Sequence, residues 1–237
     1  MLLLVLESLA HAAEEVQVGF TLAEIWEHSG GIARSVIVVL LLMLLGTVMV
    51  FIERSLAIRR AKMQSVKLRN EIVGPLESFD VNKALEISRD EKFKLGYLTA
   101  LLKAGLAELQ ETGGEFGVKN ASSAIGKAHA QELAKLQRGM PILATVGSTA
   151  PFVGLFGTTF GVINAFQGMA EAGSGLASIS AGISEALITT GVGIGVAVLG
   201  VWAFNYFNSR IAKVSDELDS AERDFSLWAN KLSQRAG

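Results

Sequence analysis

Four threonines and one glutamate stand in the least charged part of this chain. Thr158 and Thr159 follow Gly157, and Thr189 and Thr190 follow Glu185 by four and five residues. A hydroxyl both donates and accepts hydrogen bonds, and a carboxyl takes up and releases a proton. Together these groups could form a polar path for water, a proton or a partner's side chain. A threonine in a membrane helix commonly bonds the carbonyl one turn back on its own helix, which is enough to explain each one singly. Two pairs at corresponding depth in two glycine-rich helices point instead to a polar ring. Glu185 has two readings. It is a solvated or structural acid at the outer interface, where Ser174, Ser178, Ser180 and Ser184 make the approach semi-polar, or it lines an inner channel. The second reading rests on cost, since an acid at the bilayer centre is unfavourable by about 2.5–3.5 kcal/mol unless it faces a cavity or a partner. Pro151 removes a helical N–H and frees the Gly147 carbonyl, which can kink the helix or line a cavity.

Other chemistries find little support. There are no cysteines, hence no disulfide or thiolate site, and His11, His28 and His129 are scattered without metal-ligand spacing. No Ser/His/Asp or Cys/His constellation occurs, and the expectation is that the chain is not an enzyme and needs no cofactor. A net charge of -2 gives no basic excess for nucleic acid. Gly191-Val-Gly-Ile-Gly195 superficially resembles a phosphate-binding loop, but it follows no strand and lies in an apolar run, so helix packing is the better reading.

The elements that must position these residues are legible from charge alone. Pro141 to Asn208 contains no Lys or Arg and only two acids, Glu171 and Glu185. It divides into two runs, each long enough to cross a hydrocarbon core, which takes roughly 20 helical residues. We read spans at 141–170 and 176–209, joined by a short Gly/Ser turn at 171–175. Small residues recur along both at steps of three or four: Gly147, Pro151, Gly154, Gly157, Gly161, Ala165 and Gly168 in one, and Gly182, Ala186, Thr189, Gly193, Ala197 and Gly200 in the other. In lipid such faces drive association by close backbone approach. A hairpin packed on itself is one explanation. Because two such faces exceed what one antiparallel contact uses, several copies around a shared axis are expected, with Pro151, Gly154, Gly157 and Gly161 packing on a partner helix.

Residues 35–53 form a further span of bulky Leu, Val and Met without a small-residue stripe, which suits an outer, lipid-facing helix. Residues 54–140 carry 15 of the 21 Lys and Arg and predict a soluble domain of three or four helices. Its expected breaks are Gly74-Pro75 and Thr112-Gly113-Gly114, and its last helix, near 116–139, is expected to run into the second span. After Asn208, Ile211, Val214, Leu218, Ala221, Phe225, Trp228 and Leu232 form a seam of the coiled-coil kind in a helix over 210–237. The N-terminal segment 1–34 predicts a short amphipathic helix from Thr21, with Trp26 at headgroup level, and an improbable signal peptide despite Ala10-His-Ala12. By the distribution of basic residues, the large loop and C-terminus are cytoplasmic and the N-terminus lies outside. The fold class is therefore an all-α integral membrane protein with three transmembrane helices and a helical cytoplasmic domain.

Pro151-Phe-Val-Gly-Leu-Phe-Gly-Thr158, with Gly161, Asn164 and Phe166 beyond it, resembles the second-span signature of the MotA/TolQ/ExbB proton channel family. Gly182-Ile-Ser-Glu-Ala-Leu-Ile-Thr-Thr190 resembles its third-span signature, and Glu53-Arg54 and the loop length are alike. Three spans fit the ExbB/TolQ branch. Ser184, Thr159 and Phe160 depart from the common residues of the family. The resemblance implies a ring-shaped homopentamer in the bacterial inner membrane, its pore lined by the second and third spans. The pore would hold, as a dimer, a single-span partner like ExbD or TolR that carries an essential aspartate, with a TonB- or TolA-like protein beyond it. Residue by residue, it implies that Thr158 and Thr190 are pore threonines, Glu185 the channel glutamate and Pro151 the family's proline, with Thr189 replacing a small apolar residue. The function so implied is proton conduction that transmits energy to the cell envelope, for import, envelope integrity or gliding. A non-conducting membrane scaffold is the rival reading, and a secondary transporter a weaker one.

Overall fold

Long uncharged runs favour helix, and the described chain is built of helices joined by short turns. The computed structural model describes residues 30–172 and 176–236. Its elements are α1 (Gly31–Glu77), α2 (Val81–Arg89), a 3₁₀ turn (Glu91–Phe93), α3 (Tyr97–Thr112), α4 (Gly114–Leu136), α5 (Met140–Ala172) and α6 (Leu176–Ala236). Three of them, α1, α5 and α6, are long and apolar enough to cross a membrane, and the chain is a multi-pass integral membrane protein. The amphipathic helix expected from Thr21 lies outside the described residues, as does most of the 171–175 turn.

The chain divides into two compact units, residues 1–43 with 149–197 and residues 44–148 with 198–237. In the first, α5 and α6 meet through backbone rather than side chains. A Cβ on Gly154 would stand 2.8 Å from the Thr189 carbonyl, one on Gly193 would stand 2.8 Å from the Ala150 carbonyl, and one on Gly161 would meet Ala186 Cβ at 2.9 Å. The pairs Gly154/Gly193 and Gly161/Ala186 are seven residues apart on each helix, an antiparallel heptad register in which small residues recur at the seam. α1 joins through its narrow face: Ala33, Val36 and Leu40 are buried, whereas Val38, Val39, Leu41 and Leu42 are exposed. That apolar exposed face is the one expected to meet lipid.

The second unit has an ordinary hydrophobic core. Leu68, Leu85, Phe93, Tyr97, Leu101, Leu106, Ile125, Phe207 and Leu218 are almost wholly buried. The seam predicted after Asn208 is the stripe of α6 that enters this core, with Ile211, Val214, Leu218 and Phe225 buried and Ala221, Trp228 and Leu232 packed against it. Gly105 marks the tightest point, since a Cβ there would lie 2.5 Å from Ile125 Cδ1 and 2.7 Å from Phe225 Cζ. Arg54 is buried, and its Nη1 donates to the Lys135 carbonyl at 2.9 Å in the last turn of α4. A cation there also meets the negative end of the helix dipole. In the same unit Gly147 and Gly200 continue the close approach of α5 and α6, a Cβ on Gly200 falling 2.9 Å from Gly147 N.

Two expected boundaries move. Gly74-Pro75 does not break α1, which runs on to Glu77. Proline lies in the last turn, and the chain turns at Phe79, whose φ of 57° ends the helix. Stacking on Trp228 at 5.9 Å and the Arg235 guanidinium over the Phe79 ring at 4.2 Å hold that unusual residue in place. Asp80 then caps α2 by accepting from Lys83 N. Nor does the helix near 116–139 run into the second span. Gly139, at φ 83°, separates α4 from α5, and Pro141 falls in the first turn of α5, where its missing N–H costs nothing. The Gly113-Gly114 pair, both at positive φ, does part α3 from α4.

Candidate functional site

The first unit brings most of the sequence-selected residues to one level of the α5/α6 hairpin. Thr158, Thr159 and Thr189 bond their own helices, as single threonines usually do: Thr158 Oγ1 donates to the Leu155 carbonyl at 2.7 Å, Thr159 Oγ1 to the same carbonyl at 3.0 Å, and Thr189 Oγ1 to the Ala186 carbonyl at 2.7 Å. Thr189 Oγ1 also reaches the Gly154 carbonyl, at 3.4 Å, but keeps its shorter bond within α6. Thr190 differs. Its hydroxyl is directed across to α5, standing 3.3 Å from the Gly154 carbonyl and 3.4 Å from Thr158 Oγ1. A hydroxyl has one proton to give, and both acceptors lie at the long end of hydrogen-bonding range. It is weakly held and free to exchange partners. Thr158 has already given its proton to Leu155, which leaves its lone pairs to accept.

Burial separates the members of the cluster. Thr189 is fully buried at 0% exposure, and its side chain fills the notch over Gly157, where a Cβ would meet Thr189 Oγ1 at 2.7 Å. Thr158 and Thr190 are only half-buried and open at the surface of the hairpin. The expectation of a threonine path thus divides into an inner hydroxyl that packs and two outer hydroxyls that remain accessible.

Glu185 stands about one turn before this cluster. Its Oε1 accepts from the Gly30 N–H at 2.7 Å, immediately before the first residue of α1, where the aligned peptide dipoles favour a carboxylate. Asn164 approaches the same point, its Nδ2 3.7 Å from where a Gly30 Cβ would be. Sequence reasoning did not find Gly30, because a backbone donor leaves no mark in residue type. Pro151 is half-buried in the turn of α5 where α6 comes closest, beside Ala150 and Gly154.

Gly154, Gly157 and Gly161, expected to pack on a partner helix, have a neighbour within the chain. All three are buried, and each is closed by α6 of the same chain, with Val36 of α1 also against Gly157. The heptad register of α5 and α6 uses much of both small-residue faces within one chain. Of the small residues in these helices, Gly168, Gly191 and Gly195 have nothing within 4 Å of a would-be Cβ.

A buried glycine seam with half-buried hydroxyls beside it, in a chain with three helices long and apolar enough to cross a membrane, defines a polytopic helical membrane protein. The model of the MotA/TolQ/ExbB proton channel family matches residues 96–220, more than half of the chain. The chain is 40% identical over 117 residues to the Tol-Pal system protein TolQ of Pseudomonas aeruginosa, covering 46% of this chain and 51% of that protein. It is 43% identical over 102 residues to the biopolymer transport protein ExbB of Xanthomonas campestris pv. campestris, covering 43% of this chain and 40% of that one. With ExbB of Pseudomonas putida it shares 33% identity over 171 residues, 70% of this chain and 51% of that one. The chain spans about half the length of the curated relatives it matches. It belongs to the MotA/TolQ/ExbB proton channel family, in the ExbB/TolQ branch, a family that energises transport and is not one of enzymes.

Proposed function

We propose that the chain is the pore-forming subunit of a proton-motive-force-driven motor in the bacterial inner membrane. The observation that carries this reading is the Thr158–Thr190 pair, two accessible hydroxyls 3.4 Å apart on facing helices. Five copies would set five such pairs around a passage. There Thr158 and Thr190, with Thr189 behind them and Glu185 a turn away, would form the polar ring. The buried glycines Gly154, Gly157 and Gly161 keep each hairpin thin, and Pro151 shapes α5 at its closest approach to α6. The uncrowded Gly191 and Gly195 support contact with a further helix, since a backbone with no neighbour there can be approached closely.

Within the ring stands a single-span partner, a dimer like ExbD or TolR, that presents an aspartate. Protonation neutralises that aspartate and changes its preferred contact on the ring, so the partner steps or rotates. Its outer part, with a protein like TonB or TolA, hands the work to the outer membrane or cell wall. The 15 basic residues of the large loop favour placing that loop and the C-terminus in the cytoplasm. The rival is a non-conducting scaffold of an envelope complex, and Glu185 gives it some support, because an acid on a helix's first N–H is what a structural role requires.

The two readings part on one variant. Thr158→Val with Thr190→Val keeps side-chain volume and removes weak hydrogen bonds, each worth about 0.5–1.5 kcal/mol, too little to unfold the chain. Reconstituted in liposomes with the partner, the wild-type complex is expected to pass protons and the double variant to lose that flux by about tenfold or more, the effect of a little over 1 kcal/mol on a barrier. Undiminished flux in an assembled double variant would contradict the polar-ring mechanism.

A further inference from the structure

We infer that His129, Asp219 and Glu222 form a binding site for a divalent first-row transition ion, zinc above all, that fastens α4 to α6. His129 lies on α4, and the two acids lie three apart on one face of α6, so the donors converge from two elements. Their ligand atoms all fall within 4.8 Å of one another. His129 Nδ1 is 3.1 Å from Glu222 Oε2 and 3.7 Å from Asp219 Oδ1. Ligands at 2.0–2.1 Å around a tetrahedral ion are separated by about 3.4 Å, a value these two distances bracket. One imidazole and two carboxylates suit zinc, cobalt or nickel, whereas calcium asks for six or more oxygens and magnesium keeps most of its water. Exposure grades across the site, from 15% for the His129 side chain through 32% for Glu222 to 46% for Asp219. The imidazole is therefore fixed by packing, while the Asp219 side gives an ion access and room for a water as fourth ligand. The position also suits a fastening role, because Ile125 of α4 and Phe225 of α6, each one turn away, already meet over Gly105. Sequence spacing could not show this, since the histidine and its glutamate are 93 residues apart. The inference stands apart from the proton-path reading and is tested without it.

The test uses the full chain in detergent, without a polyhistidine tag and stripped with chelator. Titration with Co²⁺, followed by visible absorption and by displacement with Zn²⁺, is expected to show one tight site per chain. His129→Ala, Asp219→Asn and Glu222→Gln should each weaken it by about tenfold or more. Zn²⁺ should raise the unfolding temperature of the wild type and leave that of the variants unchanged, because an ion bound to the native state alone stabilises it. If His129→Ala does not fold, Asp219→Asn at the exposed edge carries the same comparison. No absorption at micromolar Co²⁺, or binding unaltered in the variants while His11 and His28 remain, would overturn the inference and leave a plain histidine–carboxylate hydrogen bond.

Discussion

Thr190 is the residue at which the threonine cluster departs from bonding within one helix. Three neighbouring threonine hydroxyls are satisfied within their own helices, and Thr190 alone has no good bond on its own helix, reaching instead to Gly154 and Thr158 at 3.3 and 3.4 Å. Residue type made Thr158, Thr189 and Thr190 candidates, but which hydroxyl is inert and which is loose depends on rotamer and register, and these a sequence does not display. A second residue, Tyr97, shows a tie that the sequence hides altogether. It is buried at 1% exposure, and its hydroxyl donates to Glu217, whose other oxygen lies 3.6 Å from Lys62 Nζ. Burial first, and the Glu217 bond second, raise the phenol above its ordinary value of 10.0. Because the folded value exceeds the unfolded one, this contribution to stability is complete below about pH 10 and is lost as pH climbs through the raised value. Tyr97→Phe is expected to cost about 1.5 kcal/mol near pH 7 and to flatten the alkaline loss of stability, as read from unfolding temperature against pH. An equally steep alkaline decline in the Phe variant would show that another group is responsible.

At the scale of the element, the three apolar spans were evident from charge, since no Lys or Arg interrupts residues 35–53 or 141–208. The partner of the glycine stripe was not. Steps of three and four mark a packing face but not what lies on it, and only the heptad coincidence of Gly154/Gly193 and Gly161/Ala186 reveals an intrachain seam. The breaks at Phe79 and Gly139 were missed or displaced for a related reason. Phe79 adopts a left-handed φ because tertiary stacking holds it there, a long-range cause, and proline near a helix terminus is milder than proline in its interior. The seam carries its own prediction. Gly154→Ala would place a methyl 2.8 Å from the Thr189 carbonyl and 3.2 Å from Gly193 Cα, both backbone that cannot rotate aside. It should destabilise the hairpin by about 1–3 kcal/mol. Gly195→Ala meets nothing within 4 Å and should leave the isolated chain as stable or slightly more so. Unfolding of the purified protein in detergent compares the two. Equal stability for Gly154→Ala would mean the helices are not in backbone contact.

At the scale of the whole molecule, the chain belongs to the ExbB/TolQ branch and has three helices long and apolar enough to cross a membrane, and the account adds an assembly. One chain supplies one Thr158–Thr190 pair and two hairpin walls, which enclose nothing. A passage that admits another protein's helix exists only when several chains stand side by side, and the small-residue face each hairpin spends internally cannot be the whole of that contact. In the proposed assembly the side chains left exposed on α5 and α6, Phe152, Phe156, Leu187 and Val198 among them, together with Gly191 and Gly195, would be shared between neighbouring copies and lipid. The most direct measurement is the native mass of the complex released intact from detergent. The account predicts five copies of this chain, holding with the single-span partner an added mass inside the same ring of five. A single copy, alone or with the partner, would contradict it.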